Sequence, residues 1–129
     1  MSGTVMVNEL KVHTGQWQAD ERHLDSLRRV TSEIIDVGFY SRNPDTMVAE
    51  RVPYNADSVR RGRSHLGVRL RDPTTREEAT IYVGGLENVE ELLGDFGVSP
   101  IEPSPAVGRQ VNAYRDSLTL YGIWVPRQV

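Results

Sequence analysis

Between Leu66 and Val125 the apolar spacing changes from two to about 3.6 and back to two, which constrains the fold more than any other feature. Leu66, Val68 and Leu70 alternate with Gly67, Arg69 and Arg71, the signature of a strand with one buried face. Asp72-Pro73-Thr74-Thr75 follows as a turn, its proline presetting φ. Ala79, Ile81 and Val83 then alternate with Thr80 and Tyr82, which completes a predicted hairpin. After Gly84-Gly85 the period lengthens. Leu86, Val89, Leu92 and Leu93 share one side of a predicted helix over residues 86–94. Glu87, Glu90 and Glu91 lie mainly on the other side, Phe96 extends the apolar face, and Gly97 suits a left-handed exit. Beyond the proline-rich residues 99–105, Val111 and Ala113 alternate with Asn112 and Tyr114. Arg115-Asp116-Ser117 reads as a turn, and residues 118–125 as a strand apolar on both faces, with Trp124 in the core. The C-terminal half is therefore expected to run hairpin–helix–hairpin (ββαββ).

The N-terminal half is open between two readings. Residues 4–12 read as one strand. In the first reading Asp20 caps a helix whose face carries Leu24, Leu27, Thr31, Ile34 and Ile35, with Gly38 ending it. In the second the helix stops near Arg29, and Ile35, Val37 and Phe39 alternate along a strand. A hairpin through Arg42-Asn43-Pro44-Asp45 would then lead to residues 47–53. Both readings give a single β-rich α+β domain over residues 1–129.

At 129 residues a chain buries about two-thirds of its unfolded surface and needs no staple. It has no cysteine, which excludes disulfides, thiolate zinc sites, iron–sulfur clusters and a cysteine nucleophile. His13, His23 and His65 fall in no ligand spacing, so neither metal nor cofactor is expected. Gly84-Gly85 precedes a helix but lacks the spacing of a nucleotide-binding loop, and Glu87 already occupies the positive helix end. Residues 1–9 carry no basic, apolar leader pattern, and no run approaches the roughly 18 apolar residues of a membrane span. An intracellular, cytoplasmic protein with no membrane partner is expected; the sequence sets no oligomeric state.

The basic residues are fourteen arginines and one lysine, Lys11, in a chain of net charge −3. GC-rich coding accounts for much of that bias, yet Arg60, Arg61 and Arg63 cluster in the stretch Ser58-Val59-Arg60-Arg61-Gly62-Arg63-Ser64-His65. Arg51 precedes it, and Arg69 and Arg71 point outward from the strand it opens. Such guanidinium groups suit phosphate or carboxylate, with Tyr54 or Tyr82 as a stacking surface. Trp17, among small polar residues, is a candidate anchor for a partner. Glu87, Glu90, Glu91 and Asp95 form an acidic helix face. Arg109, Tyr114 and Arg115 are the next place for an anion contact.

No catalytic constellation is visible in the sequence. The expected function is a non-catalytic interaction protein, an adaptor, assembly subunit or regulator, with a protein partner. A nucleic-acid module contacting phosphate through residues 58–65 is the first alternative, opposed by a pI near 5.6. A small acid- or histidine-dependent enzyme is the second.

Overall fold

The computed structural model describes residues 3–7, 9–15, 27–116 and 119–126. Trp17, His23 and the capped helix start at Asp20 and Leu24 lie outside the described residues. The first hairpin is β1 (Gly3–Val7) with β2 (Leu10–Thr14), turning at Glu9 with φ 68°. The single strand expected over residues 4–12 is thus two strands.

β3 (Arg28–Arg42) is a 15-residue strand, which excludes the reading with a helix through Ile35. It pairs with three partners: β4 (Ala49–Val52), β5 (His65–Arg71) and β7 (Gln110–Arg115). Its register with β5 slips between Ile34 and Asp36, just beyond the last pair with β7 at Glu33. An extra residue in a strand reverses the alternation of its side chains. Ile34, Val37 and Phe39 therefore face the core, and Ile35, expected beside Val37 and Phe39, is only half-buried.

Two hairpins are closed by the same local chemistry. In Asn43-Pro44-Asp45-Thr46-Met47 the Asn43 Oδ1 accepts the Asp45 and Thr46 amides, and Met47 turns at φ 60°. In Asp72-Pro73-Thr74-Thr75-Arg76 the Asp72 Oδ1 accepts the Thr74 and Thr75 amides, and Arg76 turns at φ 68°. An Asx side chain bonding forward, followed by proline, sets each turn before any tertiary contact forms.

The helices are α1 (Ala56–Arg60) and α2 (Leu86–Phe96), the latter following β6 (Glu78–Val83). In α1, Asn55 accepts the Ser58 amide as the cap, and Val59 is fully buried. The arginine-rich stretch expected as a loop therefore begins in a helical turn and ends in β5. α2 ends at Gly97, φ 73°, where the Gly97 and Val98 amides return to the Gly94 and Leu93 carbonyls. Arg109 donates to the Phe96 carbonyl at 3.0 Å and the Pro126 carbonyl at 2.8 Å, so its charge complements the helix C-terminus.

Among the described residues eight strands form one antiparallel sheet, ordered β1-β2-β8-β7-β3-β5-β6 with β4 paired to β3, where β8 is Leu120–Trp124. β4 lies on the same edge of β3 as β7, one segment further along. The β5–β6 and β7–β8 hairpins are separated by β3, so the C-terminal half is no self-contained unit. The sheet rolls until β6 comes against β8 and the end of β2. A Cβ on Gly15 would stand 3.2 Å from the Tyr82 carbonyl oxygen.

α2 crosses the concave face. Val89, Leu92, Leu93 and Phe96 pack with Ile34, Val37, Phe39, Leu66, Val68, Ile81, Val111 and Ile123 in one core. A smaller cluster on the convex side joins Val7, Val12 and Tyr114, and Trp124 packs against it half-buried. Trp124 is therefore outside the main core. Its neighbour Ile123 takes the inward position, because successive side chains of a strand point to opposite faces. Leu92→Ala should cost about 2–5 kcal/mol, the range for a buried leucine. Glu90→Ala on the exposed face should stay within about ±0.5 kcal/mol. Urea denaturation of both variants checks the facing of α2.

Candidate functional site

Two polar constellations stand out, one inside the roll of the sheet and one outside. The inner one joins β2 to α2. His13 shares the inward face with Ile123 and is 1% exposed. Its Nε2 lies 2.7 Å from the Asp95 Oδ2. Lys11 Nζ reaches Asp95 at 3.0 Å and Glu91 at 3.3 Å. Burial lowers the His13 pKa, outweighing the pull of Asp95. Burial also pushes Asp95 upward, but His13 and Lys11 hold it below the usual carboxylate range. Asp95 in turn raises Lys11. The acidic helix face is thus partly engaged, with Asp95 tied to β2.

The outer constellation occupies the convex face of β3, β4, β5 and β6. The pairings Gly38↔Gly67 and Gly67↔Tyr82 bring two glycines and a tyrosine into one row. A Cβ on Gly67 would stand 2.8 Å from the Tyr40 ring, so the bare backbone gives the ring room. Tyr40 and Tyr82 meet edge to face with centroids 6.1 Å apart. Arg51 lies against Gly38 and over the Tyr40 ring, 5.7 Å from its centroid. Its Nη1 donates to Asp36 at 2.8 and 2.9 Å, and the Tyr40 hydroxyl donates to Asp36 at 2.7 Å. Burial pushes Asp36 up, but Arg51 and Tyr40 hold its pKa below the ordinary value.

Below this network an open cleft of about 600 Å³ is bordered by Tyr40, Tyr82, Arg42, Arg63 and His65, with Pro44 and Ala49 as its apolar side. Arg42 comes from the end of β3 and Arg63 from the turn before β5. Among the described residues neither has a carboxylate partner. Burial, and then the charge of Arg42, lower the pKa of the half-buried His65, leaving it neutral near pH 7. A second lobe of about 400 Å³ shares Ser41 and Arg63 with the first.

The seven residues singled out in the sequence do not converge. Arg60 and Arg61 both turn to Asp57, at 3.9 and 3.0 Å. Arg69 and Arg71 share Glu78, at 2.5 and 3.7 Å. Arg51 is held by Asp36, and Trp17 lies outside the described residues. Only Arg63 reaches the cleft without a carboxylate. Tyr82 lines it too, but Tyr54 lines the second lobe and packs on Phe39 with centroids 4.9 Å apart. Arg109 is a helix cap, Tyr114 is buried, and Arg115 is buried with Glu77 at 3.4 Å. Arg42, Tyr40 and His65 were not legible as a site. Their one signal, shared parity along two strands, has meaning only once Tyr40 is known to pair with His65.

Among the described residues no three His, Asp or Glu side chains group to hold a metal, and no helix is long and apolar enough to cross a membrane. The class defined by fold and site is a small α+β domain of one rolled antiparallel sheet with a cationic cleft on its outer face. Comparison with protein-family models, curated proteins and solved structures finds no match.

The inner cluster carries a pH dependence. Unfolded histidine takes a proton near 6.5, whereas folded His13 resists it to lower pH. The unfolded state then binds more protons, so stability is full above 6.5 and declines as pH falls toward the folded value. His65, lowered likewise, adds the same sign. Asp95 acts in a separate window, below its ordinary 3.8. Thermal melts across this range should show a shallower decline for His13→Gln, which keeps a hydrogen-bonding side chain and removes the titration.

Proposed function

We propose that this chain is a non-catalytic interaction protein that holds an acidic segment of a partner protein in the cleft between Arg42 and Arg63. The observation that carries the reading is a contrast within one face. Arg51, Arg69 and Arg71 are each matched to a carboxylate of the chain, while Arg42 and Arg63 border a concave surface with none among the described residues. Arginine and tyrosine dominate the energetics of protein interfaces, above all where a concave site excludes water. Met47 and Val48, 61% and 59% exposed at the tip of the β3–β4 hairpin, add an apolar surface next to the cleft. A net charge of −3 favours a short acidic segment over a long polyanion, whose remaining charges would meet the surrounding carboxylates.

An enzyme is supported less well. His13 is buried with its Nε2 on Asp95, and His65 has no carboxylate to orient it among the described residues. Nucleic-acid binding through residues 58–65 loses support because Arg60 and Arg61 are matched to Asp57.

Fluorescence anisotropy with two labelled probes tests the proposal: a glutamate-rich peptide with one phenylalanine, and oligothymidylate. The peptide should bind, the Arg42→Ala/Arg63→Ala double variant should abolish binding, and Arg60→Ala/Arg61→Ala should leave it unchanged. Binding of the oligonucleotide alone, with a salt slope that flattens in the double variant by about 0.7 for each phosphate it no longer neutralises, would replace this reading with the nucleic-acid one.

A further inference from the structure

We infer that the anion this cleft accepts is a phosphate monoester, carried by a phosphorylated side chain of the partner; this rests on the reading of the cleft as a docking site. Among the described residues neither lobe has a carboxylate in its lining, although the chain holds 18 acidic against 15 basic residues. Elsewhere on the molecule the grooves do include one: Asp95 and Glu9 beside β2, and Asp36 above the tyrosines. The two lobes share Ser41 and Arg63, and Arg42 lines the first. A carboxylate brings one negative charge and offsets one guanidinium. A phosphate monoester brings close to two, with three acceptor oxygens, and offsets both. Each planar guanidinium fork matches two phosphate oxygens.

The donors approach from different elements, which suits a tetrahedral group better than a planar one. Arg42 projects from β3, Arg63 from the turn before β5, and His65 from β5 itself, where its neutral ring keeps one N–H to donate. A further observation lies in the second lobe. Ser64, 2% exposed, borders it, and its Oγ has no hydrogen-bond partner. Buried hydroxyls are normally satisfied, and one that is not calls for an explanation, such as a partner that arrives with a ligand. Tyr40, Tyr82 and Pro44 supply the wall for the carbon part of the phosphorylated side chain.

The test compares four probes on the intact chain by anisotropy and competition: the acidic peptide, its serine-phosphorylated form, its tyrosine-phosphorylated form, and inorganic phosphate as competitor. At least one phosphorylated form should bind about tenfold tighter than the parent, equivalent to about 1.4 kcal/mol. Arg42→Ala and Arg63→Ala should each erase that gain, while Arg60→Ala/Arg61→Ala retains it. Circular dichroism confirms that each variant is folded. Equal binding of parent and phosphorylated peptides would overturn the inference and leave the docking reading standing. Competition by inorganic phosphate with no gain for either phosphopeptide would also overturn it. Oligothymidylate binding with no peptide binding would overturn both.

Discussion

The apolar stripe of α2 is what the sheet rolls around. Val89, Leu92, Leu93 and Phe96 are all buried, and a fully buried aliphatic or aromatic side chain contributes about 1.5–3 kcal/mol relative to exposure. The helix is held at the C-terminal end of that stripe. Gly97 and Arg109 satisfy the carbonyls at its C-terminus, and Asp95 binds His13 and Lys11 across the gap to β2. Those bonds bring the β1–β2 hairpin, first in the chain, against a helix that begins more than seventy residues later. Without the helix the concave face would expose the inward residues of β3, β5, β6, β7 and β8 together.

The outer face follows from the inner one. Once Leu66, Val68 and Leu70 point to the core, His65, Gly67, Arg69 and Arg71 must point away, and the same parity turns Asp36, Gly38 and Tyr40 outward. Gly38 and Gly67 pair side by side, so this surface has a floor of backbone on which Arg51 and the two tyrosine rings lie. The charges on it are mostly matched within the chain. The cleft at Arg42 and Arg63 is where the matching stops, and it sits where the β3–β4 hairpin and the turn after α1 overhang the sheet.

Much of the fold was legible because it is decided within a few residues. The turn at Asp72, the alternation in β5 and β6, and the stripe on α2 each rest on side chains no more than a turn or a pleat apart; the turn at Asn43 belonged to one of two open readings. The bulge at Ile35 was not legible. It lies inside the β3–β5 ladder, just beyond the last pair with β7, and depends on how two strands match rather than on any residue pattern along β3 itself. Trp124 was misplaced for a similar reason: a run apolar on both faces says nothing about which face meets the larger core.

Sequence by itself determined a cysteine-free, β-rich chain, the hairpin turn at Asp72, the facing of α2, and an excess of arginine over lysine. Tertiary structure alone decided which arginines are free. Asp57 is close to Arg60 and Arg61 in the chain, but Asp36 reaches Arg51 only through β3–β4 pairing, and Glu78 reaches Arg69 and Arg71 only through the β5–β6 register. Arg42 and Arg63 lie on segments joined by the β3–β5 ladder. Charge pairing is a matter of a few ångströms in space, and one strand's composition does not specify the distance to the next.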